Sequence, residues 1–281
     1  MTLEATAAAV RAGELDPVDL VEQALQRAAD AAELNAVVHL DVPGARAAAR
    51  QHLTGPLAGI PVLVKEIIEV AGLPYRCGSA SMDGVATTDA DVVRRLRAAG
   101  AVIIGLSHSH EFAYGCTGTS NRVGPCRNPH DHSRMTGGSS SGAGAAVAAG
   151  VVPLAIGTDT AGSVRIPAAL CGVVGFKLGR NTVPVEGVFP LAQSLDHVGV
   201  LTTSVADAVY AADALSNSAT APLEVAPRLG LATNPEYGDY DAEVGEAWSQ
   251  ALAKLEVLEV ELPDWQATLR AGVDLDRKSV V

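Results

Sequence analysis

Apolar segments of strand length alternate with segments of helix length along most of this sequence. Residues 58–65 (AGIPVLVK) are apolar on both faces, which is typical of a central strand. Residues 89–99 (DADVVRRLRAA) have the pattern of a helix that ends at Gly100, and residues 101–107 (AVIIGLS) follow as a strand. Because this order gives right-handed parallel crossovers, we predict an α/β fold with a mixed, mostly parallel central sheet and helices on both faces.

The same alternation continues to the end of the sequence. The Asp16–Pro17 pair marks the start of an early helix, and Ser204 is predicted to cap a later one. The other predicted segments are strands at 35–40, 151–157, 171–177, 228–233 and 256–262 and helices at 141–150, 204–215 and 241–253. We predict one domain over 1–281, with a helical part at about 1–32, a core at about 35–215 and a partial C-terminal part at 226–281.

The last predicted strand, 256–262, is apolar and lies close to the end of the sequence. A sheet that finishes on such a strand has an unprotected edge. We therefore expect that a second copy or a partner chain covers this edge, or that the sequence is an incomplete member of something longer.

Charge and cysteine content limit the partners and the compartment. The net charge is −12, and nucleic acids and anionic membranes bind basic patches, so we expect neither as a partner. No signal peptide is evident, and no apolar run reaches the ~20 residues of a membrane helix. The cysteines form no CxxC pair and are predicted to be reduced thiols of a cytoplasmic protein: Cys77, Cys116, Cys126 and Cys171.

Two segments combine hydroxyl side chains with glycine, 136–150 (TGGSSSGAGAAVAAG) and 157–167 (GTDTAGSVRIP). The first places serines on a permissive turn before a helix. The second supplies consecutive N–H donors of the kind that stabilise an oxyanion. A serine nucleophile also needs a base. Lys65 is the candidate, because it ends a buried strand where burial favours its neutral form.

The stretch 137–168 resembles the signature of the amidase-signature hydrolases, serine enzymes that cleave carboxamides. The resemblance covers roughly residues 15 to 260 in matching order. It includes GIPVLVKE (59–66), HEFAYGCTG (110–118), CGVVGFK (171–177) and SLDHVG (194–199). It implies hydrolysis of a small-molecule amide to a carboxylate and ammonia or an amine, without a cofactor.

The resemblance also implies a Ser–Ser–Lys triad. Ser163 matches the nucleophile, Ser139 the bridging serine on a cis peptide, and Lys65 the general base. Neutral Lys65 would take a proton from Ser139 while Ser139 takes one from Ser163. The oxyanion hole corresponds to the N–H groups of Thr160, Ala161, Gly162 and Ser163.

Three further residues are expected to support this site. Ser140 is predicted to stabilise the turn by hydrogen bonding, and Asp159 and Arg165 to form an ion pair that fixes the nucleophile loop. The sequence departs from the family where relatives commonly have Asp after the lysine, since Glu66 stands there. It also has Ala161 where a glycine is common.

Three alternatives stay open from the sequence. The chain could be similar in role to the A subunit of a tRNA-dependent amidotransferase and act only with partners. A zinc site could form from the histidines and cysteines between His108 and His132. A Ser–His–Asp arrangement could use Asp196 and His197, although neighbours in sequence do not easily relay protons to each other.

Overall fold

A computed structural model gives the fold and describes residues 1–216, 225–233, 241–268 and 270. The helices are α1 Leu3–Arg11, α2 Pro17–Asp30, α3 Val42–Ala49, α4 Asp91–Ala98, α5 Ser141–Ala148, α6 Arg165–Cys171, α7 Val205–Ser216 and α8 Ala242–Leu252. The strands are β1 Val37–Leu40, β2 Pro61–Lys65, β3 Pro74–Tyr75, β4 Gly84–Val85, β5 Val102–Ser107, β6 Leu154–Thr158, β7 Val174–Lys177, β8 Val198–Thr202, β9 Leu229–Ala232 and β10 Val257–Val260. The chain divides into two compact units, Met1–Ala219 and Thr220–Val281.

Six of the described strands form the sheet of the first unit, in the order β1–β5–β2–β6–β8–β7. The β5–β2 and β2–β6 pairs are parallel, whereas β1–β5, β6–β8 and β8–β7 are antiparallel. The predicted α/β fold with a mixed sheet is therefore present. The prediction that the sheet is mostly parallel is wrong, because β1, β8 and β7 run antiparallel to their neighbours and parallel pairing within this sheet is confined to β5, β2 and β6. The sequence pattern does not predict β8, which adds an antiparallel neighbour to β6.

Strand β2 lies in the middle of this sheet, as its two-sided apolar pattern predicts. Its residues are all buried. Val62 and Val64 pack into one hydrophobic cluster and Leu63 into the other. Because side chains alternate along a strand, the two clusters cover opposite faces of the sheet. This arrangement carries Lys65, the last residue of β2, into the interior.

Helix α5 packs against the sheet with unusually small side chains. Seven of its eight residues are buried, and alanine and glycine make up most of them. A Cβ on Gly142 would lie 2.1 Å from the carbonyl oxygen of Ala36 and 2.4 Å from the backbone nitrogen of His108. Glycine at this position therefore lets the serine turn before α5 approach the ends of the central strands.

The predicted helix starts are confirmed. The Asp16 carboxylate accepts a hydrogen bond from the N–H of Val18 at 2.8 Å, with Pro17 in the first turn. The Ser204 hydroxyl accepts one from the N–H of Asp207 at 3.1 Å. Within the described ranges, no helix is both long and apolar enough to cross a bilayer.

The second unit contains α8 and a small parallel sheet of β9 and β10. Strand β10 pairs with β9 over four residues, and Leu258 on it is half exposed. The predicted last strand is thus present. The single domain over 1–281 stays a prediction, and the end of its C-terminal part from residue 271 lies outside the described residues.

Candidate active site

Lys65 is fully buried at the end of β2. Its Nζ donates a hydrogen bond to Ser139 Oγ at 2.7 Å and another to Thr158 Oγ1 at 2.9 Å. Burial lowers the pKa of Lys65 to about 7, although the charges of Asp159 and Glu66 act in the opposite direction. At neutral pH, a large fraction of this amine is therefore unprotonated and able to accept a proton.

The serine turn before α5 presents Ser139 to this lysine. The Gly138–Ser139 peptide is cis, as the resemblance implies. The carbonyl oxygen of Ser139 accepts a hydrogen bond from the N–H of His110 at 2.9 Å. The backbone of this turn is thus attached to the loop that follows β5.

Ser140 connects the same turn to the end of β6. Its hydroxyl donates to the carbonyl oxygen of Thr158 and accepts from the N–H of Thr158, both at 3.2 Å. Its own N–H donates to the carbonyl oxygen of Ser163 at 3.1 Å. The hydrogen bonding predicted for Ser140 is present, and it brings the loop of Ser163 beside the turn of Ser139.

Ser163 lies just before α6 and is 9% exposed. In the part of the chain that the structure describes, no hydrogen bond joins Ser163 Oγ to Ser139 Oγ. The side chain of Ser163 is therefore not held by Ser139, although the backbones of the two segments are joined through Ser140.

The ion pair predicted between Asp159 and Arg165 is present. The Asp159 carboxylate is fully buried and contacts the guanidinium at 2.9 and 3.0 Å. It also accepts hydrogen bonds from the N–H groups of Gly162 at 2.8 Å and Val164 at 3.1 Å. Burial would raise the pKa of Asp159, but Arg165 and these donors outweigh it and hold that pKa below its usual value. The pair fixes the loop that carries Ser163.

The same loop carries the four N–H groups that are predicted to form an oxyanion hole, which stays a prediction. The N–H of Gly162 is already used by Asp159. Among the described residues, the N–H groups of Thr160, Ala161 and Ser163 have no acceptor. The set of free donors is therefore smaller than the four expected, because the loop's own carboxylate takes one of them.

Asp196 holds the other side of the same loop. Its carboxylate accepts from the hydroxyl of Thr160 at 2.5 Å and from the N–H groups of Leu191 and Ala192. His197 exchanges two backbone hydrogen bonds with Asp159, at 2.8 and 3.2 Å. The His197 ring contacts the carbonyl oxygen of Leu195, so the geometry gives Asp196 and His197 no shared relay to Ser163.

His108, His110 and His130 use ring nitrogens in hydrogen bonds within the chain, and His132 is exposed. His108 is buried and contacts Ser141 Oγ at 2.7 Å and the carbonyl oxygen of Gly124 at 2.9 Å. The ring of His130 contacts the carbonyl oxygen of Cys171 at 2.9 Å. Over the described ranges, no three His, Cys, Asp or Glu side chains are grouped so as to hold a metal ion. The four cysteines are free thiols.

The structure places three further residues at this site that the sequence did not predict to shape it. Thr158 accepts a hydrogen bond from Lys65, Glu66 is buried directly after it, and Asp196 secures the loop of Thr160. One signal for Thr158 was available. The carboxyl ends of neighbouring parallel strands meet at one edge of a sheet, and both β2 and β6 end in polar residues there.

Comparisons with known proteins identify the relatives of this chain. The family model described as Amidase matches residues 19–269. The indoleacetamide hydrolase of Pseudomonas savastanoi is 39% identical over 265 residues, which cover 91% of this chain and 57% of that protein. The A subunit of the glutamyl-tRNA(Gln) amidotransferase of Symbiobacterium thermophilum is 45% identical over 70% of this chain and 42% of its own length. The chain thus spans about half the length of these curated relatives.

Solved structures give the same result. An amidase crystal structure superposes with a TM-score of 0.89 at 38% identity, covering 99% of this chain and 67% of that one. The native peptide amidase of Stenotrophomonas maltophilia gives a TM-score of 0.85 at 32% identity, covering 97% of this chain and 64% of that one. From the family match, these likenesses and the shared fold, it follows that the chain belongs to the amidase family.

Proposed function

We propose that this chain carries the catalytic centre of an amidase that hydrolyses a carboxamide C–N bond to a carboxylate and ammonia or an amine. The observation that carries the proposal is the 2.7 Å contact between the buried Nζ of Lys65 and Ser139 Oγ. A buried amine whose pKa lies near 7 is suited to act as a base at neutral pH. Ser163 is the proposed nucleophile, Ser139 the proton bridge and Lys65 the base.

In the first half of the proposed reaction, Ser163 Oγ attacks the amide carbon. Ser163 gives its proton to Ser139 as Ser139 gives its own to neutral Lys65. The carbonyl oxygen becomes negative and accepts hydrogen bonds from the N–H groups of Thr160, Ala161 and Ser163. Transfer of a proton from Lys65 through Ser139 to the nitrogen then breaks the C–N bond and leaves an acyl-enzyme.

In the second half, water attacks the acyl carbon and gives its proton along the same path. The carboxylate leaves and Ser163 is restored. This path requires Ser163 Oγ to reach Ser139 Oγ when substrate is bound. Catalytic hydrogen bonds are often longer in the free enzyme than in the complex, and we expect this contact to form when substrate binds.

Ammonia release from a panel of primary carboxamides tests the proposal. We expect release by the chain, and loss of at least a thousandfold in rate with Ser163→Ala. Ser133→Ala, which changes an exposed serine, is the matched control and should leave the rate unchanged. Activity that survives Ser163→Ala would remove Ser163 from the mechanism.

The alternative role as a component of an amidotransferase has no observation of its own in its favour, and the same assay separates it. Ammonia release only when partner chains co-purify would support that alternative. The proposed substrate is a small-molecule amide, and the proposed location is the cytoplasm, because all four cysteines are free. We also propose that a second copy or a partner chain covers the apolar strand β10.

A further inference from the structure

Glu66 is a buried carboxylate directly beside the proposed base. It follows Lys65 at the end of β2 and is 3% exposed. The proposed reaction gives it no proton to move. A carboxylate is rarely placed in the interior unless it is held by several hydrogen bonds.

Among the described residues, the hydrogen-bonding groups that hold Glu66 are uncharged donors. Its Oε1 accepts from the N–H of Ser109 at 2.9 Å and from the side-chain amide of Asn121 at 2.6 Å. The N–H of Gly78 also stabilises the ionised form. Burial raises the pKa of Glu66, while these donors oppose the rise. Since a protonated carboxyl would need an acceptor for its proton, this set of donors suits the carboxylate.

These bonds lead directly to the serine turn. Asn121 Nδ2 also donates to the carbonyl oxygen of Ser109 at 2.7 Å, so the amide links Glu66 to the loop after β5. The next residue of that loop, His110, donates its N–H to the carbonyl oxygen of Ser139 at 2.9 Å. Glu66 is therefore connected to the backbone of the proposed proton bridge by two hydrogen bonds, one to Ser109 and one from the adjacent His110 to Ser139.

The charges around Lys65 give Glu66 a second effect. The titratable groups that face Lys65 are Asp159, Glu66, Asp196, Cys77, His108 and His110. Burial raises the pKa of the Cys77 thiol to about 12, and it lowers the pKa of His108 and of His110, so these three are neutral near pH 7. The charge of Asp159 is paired with that of Arg165, whereas the carboxylates of Glu66 and Asp196 accept hydrogen bonds from neutral donors.

We propose that Glu66 is a positioning residue for the proposed reaction: its carboxylate holds the loop whose His110 N–H binds Ser139, and it supplies, beside Lys65, a negative charge that has no salt-bridge partner among the described residues. This inference rests on the proposed function. Both effects act through other residues, because Glu66 touches neither Ser139 nor Ser163 by hydrogen bonding.

The first test is the rate at which a fluorophosphonate labels Ser163 between pH 5 and pH 9. In this reaction Ser163 Oγ forms a bond to phosphorus, fluoride leaves, and the serine proton passes through Ser139 to Lys65. Loss of the Glu66 charge makes protonation of Lys65 less favourable. For Glu66→Gln we therefore expect the midpoint of the acid limb to move to lower pH by about half a unit or more, together with a lower plateau rate.

Two matched variants accompany it. Glu66→Asp keeps the charge and should keep the wild-type midpoint. Glu69→Gln removes a partly exposed carboxylate four residues along the chain from Lys65 and should change neither midpoint nor plateau. An unchanged midpoint in Glu66→Gln, or the same shift in Glu66→Asp, would overturn the charge effect and leave Glu66 with a structural role alone.

The second test does not depend on reactivity. It measures urea unfolding across the same pH range for four proteins: wild type, Lys65→Met, Glu66→Gln and the double variant. The stability difference between proteins with and without Lys65 gives the pH window in which Lys65 changes the free energy of unfolding. We expect the acid edge of that window, which is set by the native pKa of Lys65, to lie at lower pH in the Glu66→Gln background. If wild type is never labelled at Ser163, the proposed function fails, while the unfolding measurements still decide the effect of Glu66 on Lys65: an unmoved window refutes it.

Discussion

Replacement of Lys65 by methionine should stabilise the folded chain in mild acid. The native pKa of Lys65 is lowered from 10.5 to about 7 by burial. In the unfolded chain the amine is protonated up to about pH 10.4. Between these values the unfolded state binds more protons than the native state, so stability increases as the pH rises. Below pH 7 the whole cost of burying a charged amine is present.

The magnitude follows from the size of the shift. A change from 10.5 to about 7 corresponds to about 5 kcal/mol at 1.36 kcal/mol per pKa unit. Between pH 6 and pH 10, Lys65 alone should therefore change the free energy of unfolding by about 4 kcal/mol. Methionine has a similar length and no charge. It loses the two hydrogen bonds to Ser139 and Thr158, which costs about 1 kcal/mol for each.

Urea unfolding of wild type and Lys65→Met, followed by circular dichroism at several pH values, measures this directly. The difference between the two proteins isolates Lys65, because the other titrating groups cancel. We expect Lys65→Met to be more stable by a few kcal/mol at pH 6, and equal or slightly less stable at pH 10. A difference that does not change with pH would refute the reasoning, since it would mean that Lys65 has the same pKa in both states.

Three further substitutions test the surroundings of the site. Burial lowers the pKa of His108 to about 4, so the free energy of unfolding should fall by up to about 3 kcal/mol as the pH drops from about 6.5 towards 4. In His108→Gln this fall should be smaller, as measured by urea unfolding over the same pH range. Gly162→Ala places a Cβ 2.8 Å from Ile166 at a φ of +127°. We expect fluorophosphonate to label Ser163 at least tenfold more slowly in this variant, with only about 1–2 kcal/mol lost from the free energy of unfolding in urea. Asp159→Asn weakens the contact between the buried Asp159 carboxylate and the half-exposed Arg165 and removes charge from the acceptor of the Gly162 and Val164 N–H groups. It should cost about 2–4 kcal/mol in the same unfolding assay, and a loss below about 0.5 kcal/mol would contradict the role of the pair.

The strand that carries Lys65 could be predicted from the sequence because its pattern is physical and local. Residues 61–65 are apolar on both faces, and such a segment can only be buried centrally. The burial of Lys65 and its direction of pKa shift follow from that position. Its contact with Ser139 was available only through the resemblance, because the two residues are 74 positions apart.

Other parts of the fold depend on packing that the local pattern does not contain. Helix α6, Arg165–Cys171, includes Pro167, so its sequence suggests a break. Proline is tolerated there because it lies in the first turn, where its missing N–H has no helical partner. Thr158 becomes a partner of Lys65 through the register of two strands, and the N–H of Gly162 donates to the Asp159 carboxylate of its own loop.

The close approach of helix α5 to the sheet has a consequence for attempts to change substrate preference. The position of Gly142 leaves no volume for a larger side chain, so a mutational library over this helix would mainly yield unfolded variants. The loop 110–118 is a better target for substitutions, because Tyr114 and Cys116 on it are exposed while its backbone contacts the serine turn. Substitution of these exposed side chains leaves in place the backbone hydrogen bond between His110 and Ser139.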